Sequence, residues 1–391
     1  MRFALSTEQL DFAAELRKIL DAGQVPAAVR AWSSGDTTKG RALLRQLAEM
    51  GVFGLIVDEK YDGADATPVD LVVALVELGR AALPGPVIES AAVIPALLQR
   101  LPDAAIAERY LPALASGEQL GTITFEEPQR GITLDADTAD LVLVAGGQRV
   151  GPAGTPGTAI TSGTAATSGT AATPGTTATS DGADASGVAG SVGVWIADSS
   201  GAQSGGRTTG GAESAVASID PARKIAQVTV GELIADGPEA EAAVAYAFDV
   251  GVLACAAQLL GAGRAILEQT TAYAKQRKQF GRAIGEFQAV KQQLADVLIA
   301  LDLAEPLLYR AALTLDTDDR ARDVSAALVT CADAAHRAAR AGLQVHGAIG
   351  YTAECDLSLW LTKVTALRTA WGTADFHRAR IAAALRSPVA V

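Results

Sequence analysis

The chain reads as an α+β protein, with helical domains at both ends and a small strand-rich domain between them. Three observations predict this. Apolar residues recur at helical spacing from residue 6 to about 118 and again from about 236 to 391. Between these segments lie short runs rich in Thr, Ile and Val, separated by turn residues. At a glycine-containing join between two long helical segments, Lys275, Arg277, Lys278 and Arg282 gather in a chain of net charge -12. At 391 residues the chain is too long for one compact core and suits two or three domains.

Composition narrows the function classes. Hydrophobic content of 49% with 19% charged residues describes a soluble globular chain with large buried surfaces. The acidic balance argues against nucleic acid and against an anionic membrane surface. Cys255, Cys331 and Cys355 lack C-x-x-C spacing and read as buried reduced thiols of a cytoplasmic protein. His336, His346 and His377 are far apart and have no metal-binding spacing, so each reads as structural. The opening residues lack the apolar core of a signal peptide.

The amino-terminal domain, residues 1–118, begins with a helix whose start is marked by Ser6-Thr-Glu-Gln and whose apolar face is Leu10, Phe12, Ala13, Leu16 and Leu20. Gly40 to Met50 gives a further helix. A loop through Glu59, Tyr61 and Gly63 leads to the helix Val69 to Ala82, stopped by Pro84-Gly-Pro86. Residues 119–235 form the second domain, with strands expected at 122–125, 140–144, 192–196 and 225–230, arranged as a small antiparallel barrel or sandwich. An insertion is expected within 151–215. Its core, Gly151 to Ser191, is built almost wholly from Gly, Ala, Thr, Ser and Pro, with a direct repeat at 161–172. Such a tract buries too little apolar surface to offset ordering entropy and is expected to be a flexible surface segment.

Residues 236–391 return to helix. Ala243 to Leu267 is apolar enough to consider as a membrane span, but Asp249, Gln258 and Arg264 interrupt it, and a buried bundle helix is the preferred reading. Gly281 and Gly285 break helix propensity before Val290, Leu294, Val297, Leu301 and Leu308 resume it on one face, so a helical hairpin is expected. A basic turn of this kind is often only solvated surface. Guanidinium groups are also the side chains best shaped to grip phosphate. Asp323 to Leu343 and Leu357 to Arg386 are helical, the latter with an interruption near Gly372.

Arg277, Phe280 and Gly281, followed by Phe287 and Gln288, resemble the R-x-x-F-G…F-Q motif of acyl-CoA dehydrogenases. Gln344, Gly347, Gly350, Tyr351, Thr352 and Glu354 are similar to that family's second flavin motif, with Ala348 in place of one glycine. Glu49-Met-Gly51, Glu59, Tyr61 and Glu77-Leu-Gly-Arg80 match its amino-terminal domain, with Asp62 where a glycine is usual. The resemblance covers the chain outside the low-complexity insertion and implies a carboxy-terminal four-helix bundle. It implies FAD as cofactor, an acyl-CoA substrate, α,β-desaturation, and electron-transfer flavoprotein as acceptor. It also implies cofactor contacts from Arg277, Phe280, Gln288, Gln344, Gly347, Ala348 and Thr373, the first motif reaching the flavin of a neighbouring subunit.

The departures from the family pattern are as informative. Trp371 stands where the resemblance places the usual catalytic glutamate, and Gly251 stands at the other position known for it. The T-E-P-x-x-G-S-D segment is reduced to Thr124-Phe-Glu-Glu-Pro128 without Gly-Ser-Asp, and the W-I-T strand is not visible. The resemblance therefore implies a base-lacking subunit of an α2β2 heteromer, like the actinobacterial dehydrogenases of steroid side chains. Two alternatives stand beside it. One is a homotetramer with its base relocated to Glu126, Glu354 or Asp249; the other is a catalytically inactive structural or regulatory paralogue.

Overall fold

The computed structural model describes residues 4–125, 132–147, 192–197 and 213–386. The low-complexity tract and Glu126 lie outside the described residues.

The amino-terminal domain contains α1 (Thr7–Ala22), α2 (Val25–Ser33), α3 (Thr38–Glu49), α4 (Pro68–Arg80), α5 (Ile94–Leu98) and α6 (Ala104–Ala115). Ser6 caps α1 as its sequence predicts: the Gln9 N–H donates to Ser6 Oγ at 3.2 Å, and the Ser6 N–H donates to Gln9 Oε1 at 3.0 Å. Thr67 and Asp70 do the same for α4. Asp62, at the position where glycine is usual, adopts φ 63°. Aspartate tolerates that left-handed conformation better than most residues, which explains why the substitution is accommodated. Preceding α5 is a π-helical turn, Glu89–Val93, buried throughout.

Helix α4 lies on α7 (Gly237–Gln276), and two glycines set the approach. A Cβ on Gly79 would come within 2.2 Å of the Gln258 carbonyl oxygen, and one on Gly261 within 1.9 Å of the Val76 carbonyl oxygen. Neither backbone atom can give way, so this crossing requires glycine on both helices. Arg17 clamps the same region by donating to both oxygens of Glu77, at 2.9 and 2.6 Å.

The middle domain is two sheets. β1 (Gly121–Thr124), β3 (Leu141–Gly147), β4 (Val192–Ala197) and β7 (Val230–Asp236) form one, in the order β1-β3-β4-β7. β2 (Ile132–Leu134), β6 (Lys224–Gln227) and β5 (Glu213–Ala217) form the other, in the order β2-β6-β5. Alternation along β3 explains why two layers form: Leu141, Leu143 and Ala145 join the main core, while Val142 and Val144 join Trp195, Ala226 and Val228 in a second one.

Three sequence expectations need correction here. Among the described residues the sheets stay open rather than closing as a barrel, and β1 pairs with β3 in parallel. The single strand expected over 225–230 divides between the two sheets, because β6 turns away at Val228 before β7 begins. The segment 151–215 is also not one insertion, since β4, paired on both sides, runs through it.

The carboxy-terminal domain packs α7, α8 (Gln288–Leu313), α9 (Arg320–His346) and α10 (Leu357–Ala370) around one core, with α11 (Ala374–Arg386) along α9. Helix α7 is long and apolar enough to cross a membrane, but 83% of its most apolar window is buried inside the protein. Cys255 and Cys331 are buried, and burial pushes the Cys331 thiol up to about 12. Cys355 is only half-buried, contrary to expectation, because it sits in the turn before α10.

Candidate functional site

Two places on this scaffold gather the residues singled out by sequence, and they lie toward opposite ends of α7. The first is a cavity of about 700 Å³ where β1, β2, the first half of α7 and the α10–α11 junction meet. Gly372, at φ 101°, breaks the carboxy-terminal helix as expected and turns Trp371 inward. The Trp371 ring forms an aromatic wall with Phe125 and Phe248, with centroids 5.7 and 6.1 Å away. Phe376 extends that wall against Phe248 at 6.1 Å.

Trp371 also lies directly on Gly251. A Cβ at position 251 would be 2.2 Å from the indole, so the large ring is accommodated only because residue 251 has no side chain. The two positions that sequence resemblance pointed to separately are thus in contact.

The junction is held from below. The imidazole of His377 is fully buried, and its Nε2–H donates to the Trp371 carbonyl at 2.7 Å. A carbonyl only accepts, so Nδ1 is the unprotonated nitrogen and takes the Ser325 hydroxyl proton at 3.0 Å. Burial holds the His377 pKa below the usual histidine range, which keeps this arrangement neutral. Arg380 donates to the same Ser325 oxygen at 3.1 Å and to Asp249 at 2.6 Å. Arg320 reaches the other Asp249 oxygen at 2.9 Å. Asp249 is therefore a doubly paired carboxylate behind the wall. Thr373 lines the cavity, and its hydroxyl accepts the Phe376 N–H at 3.2 Å at the start of α11. Glu354 is exposed in the turn before α10 and does not line the cavity.

The cavity also holds residues that sequence reasoning missed. Glu89 lines it and accepts from Arg223 Nη2 at 2.7 Å, while Arg223 Nε donates to Asp135 at 2.6 Å. All three are buried. Burial, more than the charge of Glu89, raises Asp135 to about 6 despite the opposing guanidinium. A lone carboxylate inside the apolar run 87–98 was the available signal.

The second place is the α7–α8 join. β8 (Lys278–Gln279) and β9 (Arg282–Ala283) make a minimal hairpin whose turn residues, Phe280 and Gly281, both have positive φ, 54° and 78°. Phe280 is 91% exposed. Lys275, Arg277 and Lys278 are exposed, and with Arg282 they form no ion pair with any described residue. Arg282 instead stacks on Phe287 at 4.3 Å. Tyr273, just before the hairpin, stacks on His346, just before Gly347, at 4.1 Å. That contact brings Arg277, Phe280 and Gln288 to the same end of the bundle as Gln344, Gly347 and Ala348, all exposed. Thr373 is not among them. From Phe248 to the end of α7 is roughly 40 Å at about 1.5 Å of rise per residue. One dinucleotide cannot touch both places on one chain.

Comparison with known proteins agrees with this architecture. The acyl-CoA dehydrogenase amino-terminal domain model matches residues 6–118, and the carboxy-terminal domain model matches residues 242–386. The acyl-CoA dehydrogenase IpdE2 of Mycobacterium tuberculosis is 28% identical over 86% of this chain and 85% of its own. Among solved structures, the ChsE4–ChsE5 complex of Mycobacterium tuberculosis has a chain of TM-score 0.77 at 22% identity, covering 100% of both chains. Butyryl-CoA dehydrogenase of Megasphaera elsdenii has a TM-score of 0.73 at 19% identity, covering 98% of this chain and 100% of that one. With both helical ends matched by its domain models, the chain belongs to the acyl-CoA dehydrogenase family, oxidoreductases that act on CH–CH bonds.

Proposed function

We propose that this chain is the base-lacking subunit of a heteromeric, FAD-dependent acyl-CoA dehydrogenase, contributing the adenosine side of a flavin site completed by a related partner subunit. The observation that carries the reading is the packing of Trp371 on Gly251. An indole and a hydrogen atom occupy the two positions where the family pattern places its carboxylate, and neither accepts a proton. The thioester α-proton is weakly acidic, so its removal needs a positioned carboxylate, and in this reading the partner supplies it.

The residues present fit the two halves of FAD unequally. At the α7–α8 join, Arg277 and its neighbouring cations are unpaired and exposed, as a diphosphate requires. Phe280 presents an uncovered ring for the adenine, Gln288 and Gln344 offer amides, and Gly347, at φ 67° with open space beside it, admits close backbone approach with Ala348. At the cavity, Trp371 lies against Phe125 and Phe248, where an isoalloxazine ring would need room. When bound, FAD supplies the acceptor for the β-hydrogen as hydride. This chain's part is to grip the far end of the cofactor, while Phe125, Phe248, Trp371 and Phe376 wall its own cavity with aromatic rings. A cytoplasmic setting, with electron-transfer flavoprotein as acceptor, accompanies this reading.

The exposed face of α8 supports assembly with another chain. Leu298, Ile299 and Leu303 are 49%, 56% and 69% exposed beside the hairpin helix, an apolar stripe expected to be covered. A relocated base is less well supported, since Asp249 is consumed by two arginines and Glu354 is outside the cavity. The test is turnover of acyl-CoA with an artificial electron acceptor. Alone, the chain is expected to be inactive. With its partner, Asp249→Asn, Glu354→Gln and Glu126→Gln should retain turnover, whereas removing the partner's carboxylate should cost on the order of 10²–10⁴-fold. Loss of that size from any of the three substitutions here would place the base on this chain.

A further inference from the structure

The adenosine end is assembled from two stretches far apart in sequence, 275–288 and 344–354, and one ring contact lies between them. Tyr273, in the last turn of α7, stacks on His346, the last residue of α9, with centroids 4.1 Å apart and planes 20° from parallel. Just past them both chains leave helical geometry. Arg277 is extended at φ -70° and ψ 122°, and Gly347 turns away at φ 67°. The stack therefore sits where the hairpin and the glycine turn diverge.

Each ring is fixed from its own side. The His346 Nδ1–H donates to the Gly342 carbonyl at 2.8 Å; a carbonyl only accepts, so this nitrogen carries the proton. At Gly342 the two helices are already close, since a Cβ there would lie 2.9 Å from Ile266 Cγ2 of α7. His346 is buried and also supports the glycine turn: a Cβ on Gly350 would be 2.9 Å from the His346 Cβ. Tyr273 is half-buried, and its hydroxyl bonds no described residue, so the ring makes the contact. The Tyr273 carbonyl accepts the Arg277 N–H at 2.8 Å. The Arg277 carbonyl in turn accepts the Ile284 N–H at 2.8 Å, which closes the base of the hairpin. A continuous path of contacts thus runs from Gly350 through His346 and Tyr273 to Arg277.

A ligand held from two sides needs those sides at a set separation, because each contact counts in full only when the other forms at the same time. Arg277, Phe280 and Gln288 stand on one side, Gln344 and Gly347 on the other, and all five are exposed. Tyr273 and His346 lie behind this set, turned toward each other. We infer that the stacked pair of Tyr273 and His346 positions the two halves of the adenosine site relative to one another, so that both grip one ligand. The inference rests on the reading of this end as the adenosine side of a flavin site, and it adds two positioning residues to that site.

The test measures binding of FAD, and of ADP as its adenosine diphosphate half, to the full chain assembled with its partner and stripped of flavin. Tyr273→Leu removes the flat ring from a half-buried position and should fold. It should weaken both ligands by roughly three- to tenfold, the worth of an aromatic pair. His346→Leu, which removes the other ring, should weaken them to the same degree. Tyr273→Phe keeps the ring and should stay within about twofold of the parent; a loss equal to that of Tyr273→Leu would assign the effect to the hydroxyl and overturn the inference. Arg277→Ala should cost less in the Tyr273→Leu background than in the parent, because a hairpin no longer held has already given up part of its contact. A merely structural stack would lower the melting temperature of the isolated chain and leave both affinities within about twofold of the parent, and that result also overturns the inference. If Arg277→Ala and Gln344→Ala themselves leave FAD and ADP binding unchanged, the adenosine-site reading falls first, and the pair has nothing to position.

Discussion

The two ends of helix α7 are finished to different degrees. Around Phe248 the junction of α10 and α11 is paired within the chain: Asp249 lies between Arg320 and Arg380, His377 is locked between Ser325 and the Trp371 carbonyl, and Trp371 fills the space above Gly251. Around Arg277 nothing is finished. The cations are unpaired among the described residues, an aromatic ring is 91% exposed, and that same residue is held at φ 54°, where a bulky side chain is strained. A surface that carries charge, an uncovered ring and backbone strain together is arranged for something outside the chain. The cavity end behaves as core, and the hairpin end behaves as half of an interface.

The largest expected effect breaks this comparison at the cavity. Trp371→Ala should destabilise the isolated chain by about 3–5 kcal/mol, as removal of a packed aromatic usually does, read as a fall in the denaturation midpoint. Gly251→Ala should cost about 1–3 kcal/mol through the clash with the indole. The double variant should cost clearly less than the sum, because the clash disappears with the ring. Strict additivity would mean that the two residues do not meet.

At the hairpin the readout changes from stability to cofactor retention. Arg277→Ala should leave the melting temperature of the isolated chain unchanged and weaken flavin affinity of the assembled protein by roughly ten- to hundredfold, the loss of a charge-assisted phosphate contact. Flavin occupancy that is unchanged at limiting cofactor would remove Arg277 from the site.

The smallest effect is the most discriminating. Phe280→Gly relieves a left-handed conformation and gives up only an edge-to-face contact with Phe287 at 6.2 Å, so the isolated chain should gain up to about 1 kcal/mol. The assembled protein should nevertheless retain less flavin. A substitution that stabilises the free chain and weakens the complex is the mark of strain held for binding. Destabilisation of the free chain would instead make Phe280 part of its fold.

Much of this contrast is legible in the sequence, and the parts that are not share a cause. Ser6 with Gln9, the Gly281 turn and the Gly372 break are local: a cap or a positive φ is specified by residues within a few positions of one another. The basic join was visible as composition against an acidic chain. The division of 225–230 between two sheets was hidden because no Gly or Pro marks Val228 and Thr229; packing of Val228 against Trp195 and Val144 decides it. The contact of Gly251 with Trp371 is likewise tertiary. Each residue drew notice for what it replaced, but only the fold brings an indole onto a helix position far away in the chain. Glu89 is marked in the sequence only as one carboxylate in an apolar run, which has no periodicity to give it a role, and its arginine comes from a different domain.

The central claim is that this chain completes another chain's flavin site and does not complete its own. Flavin stoichiometry tests it most directly. Purified alone, the protein should be colourless or poorly flavinated; with its partner it should form a yellow complex holding one flavin for every two chains. A homo-oligomer of this chain that carries one flavin per subunit and oxidises an acyl-CoA would contradict the account.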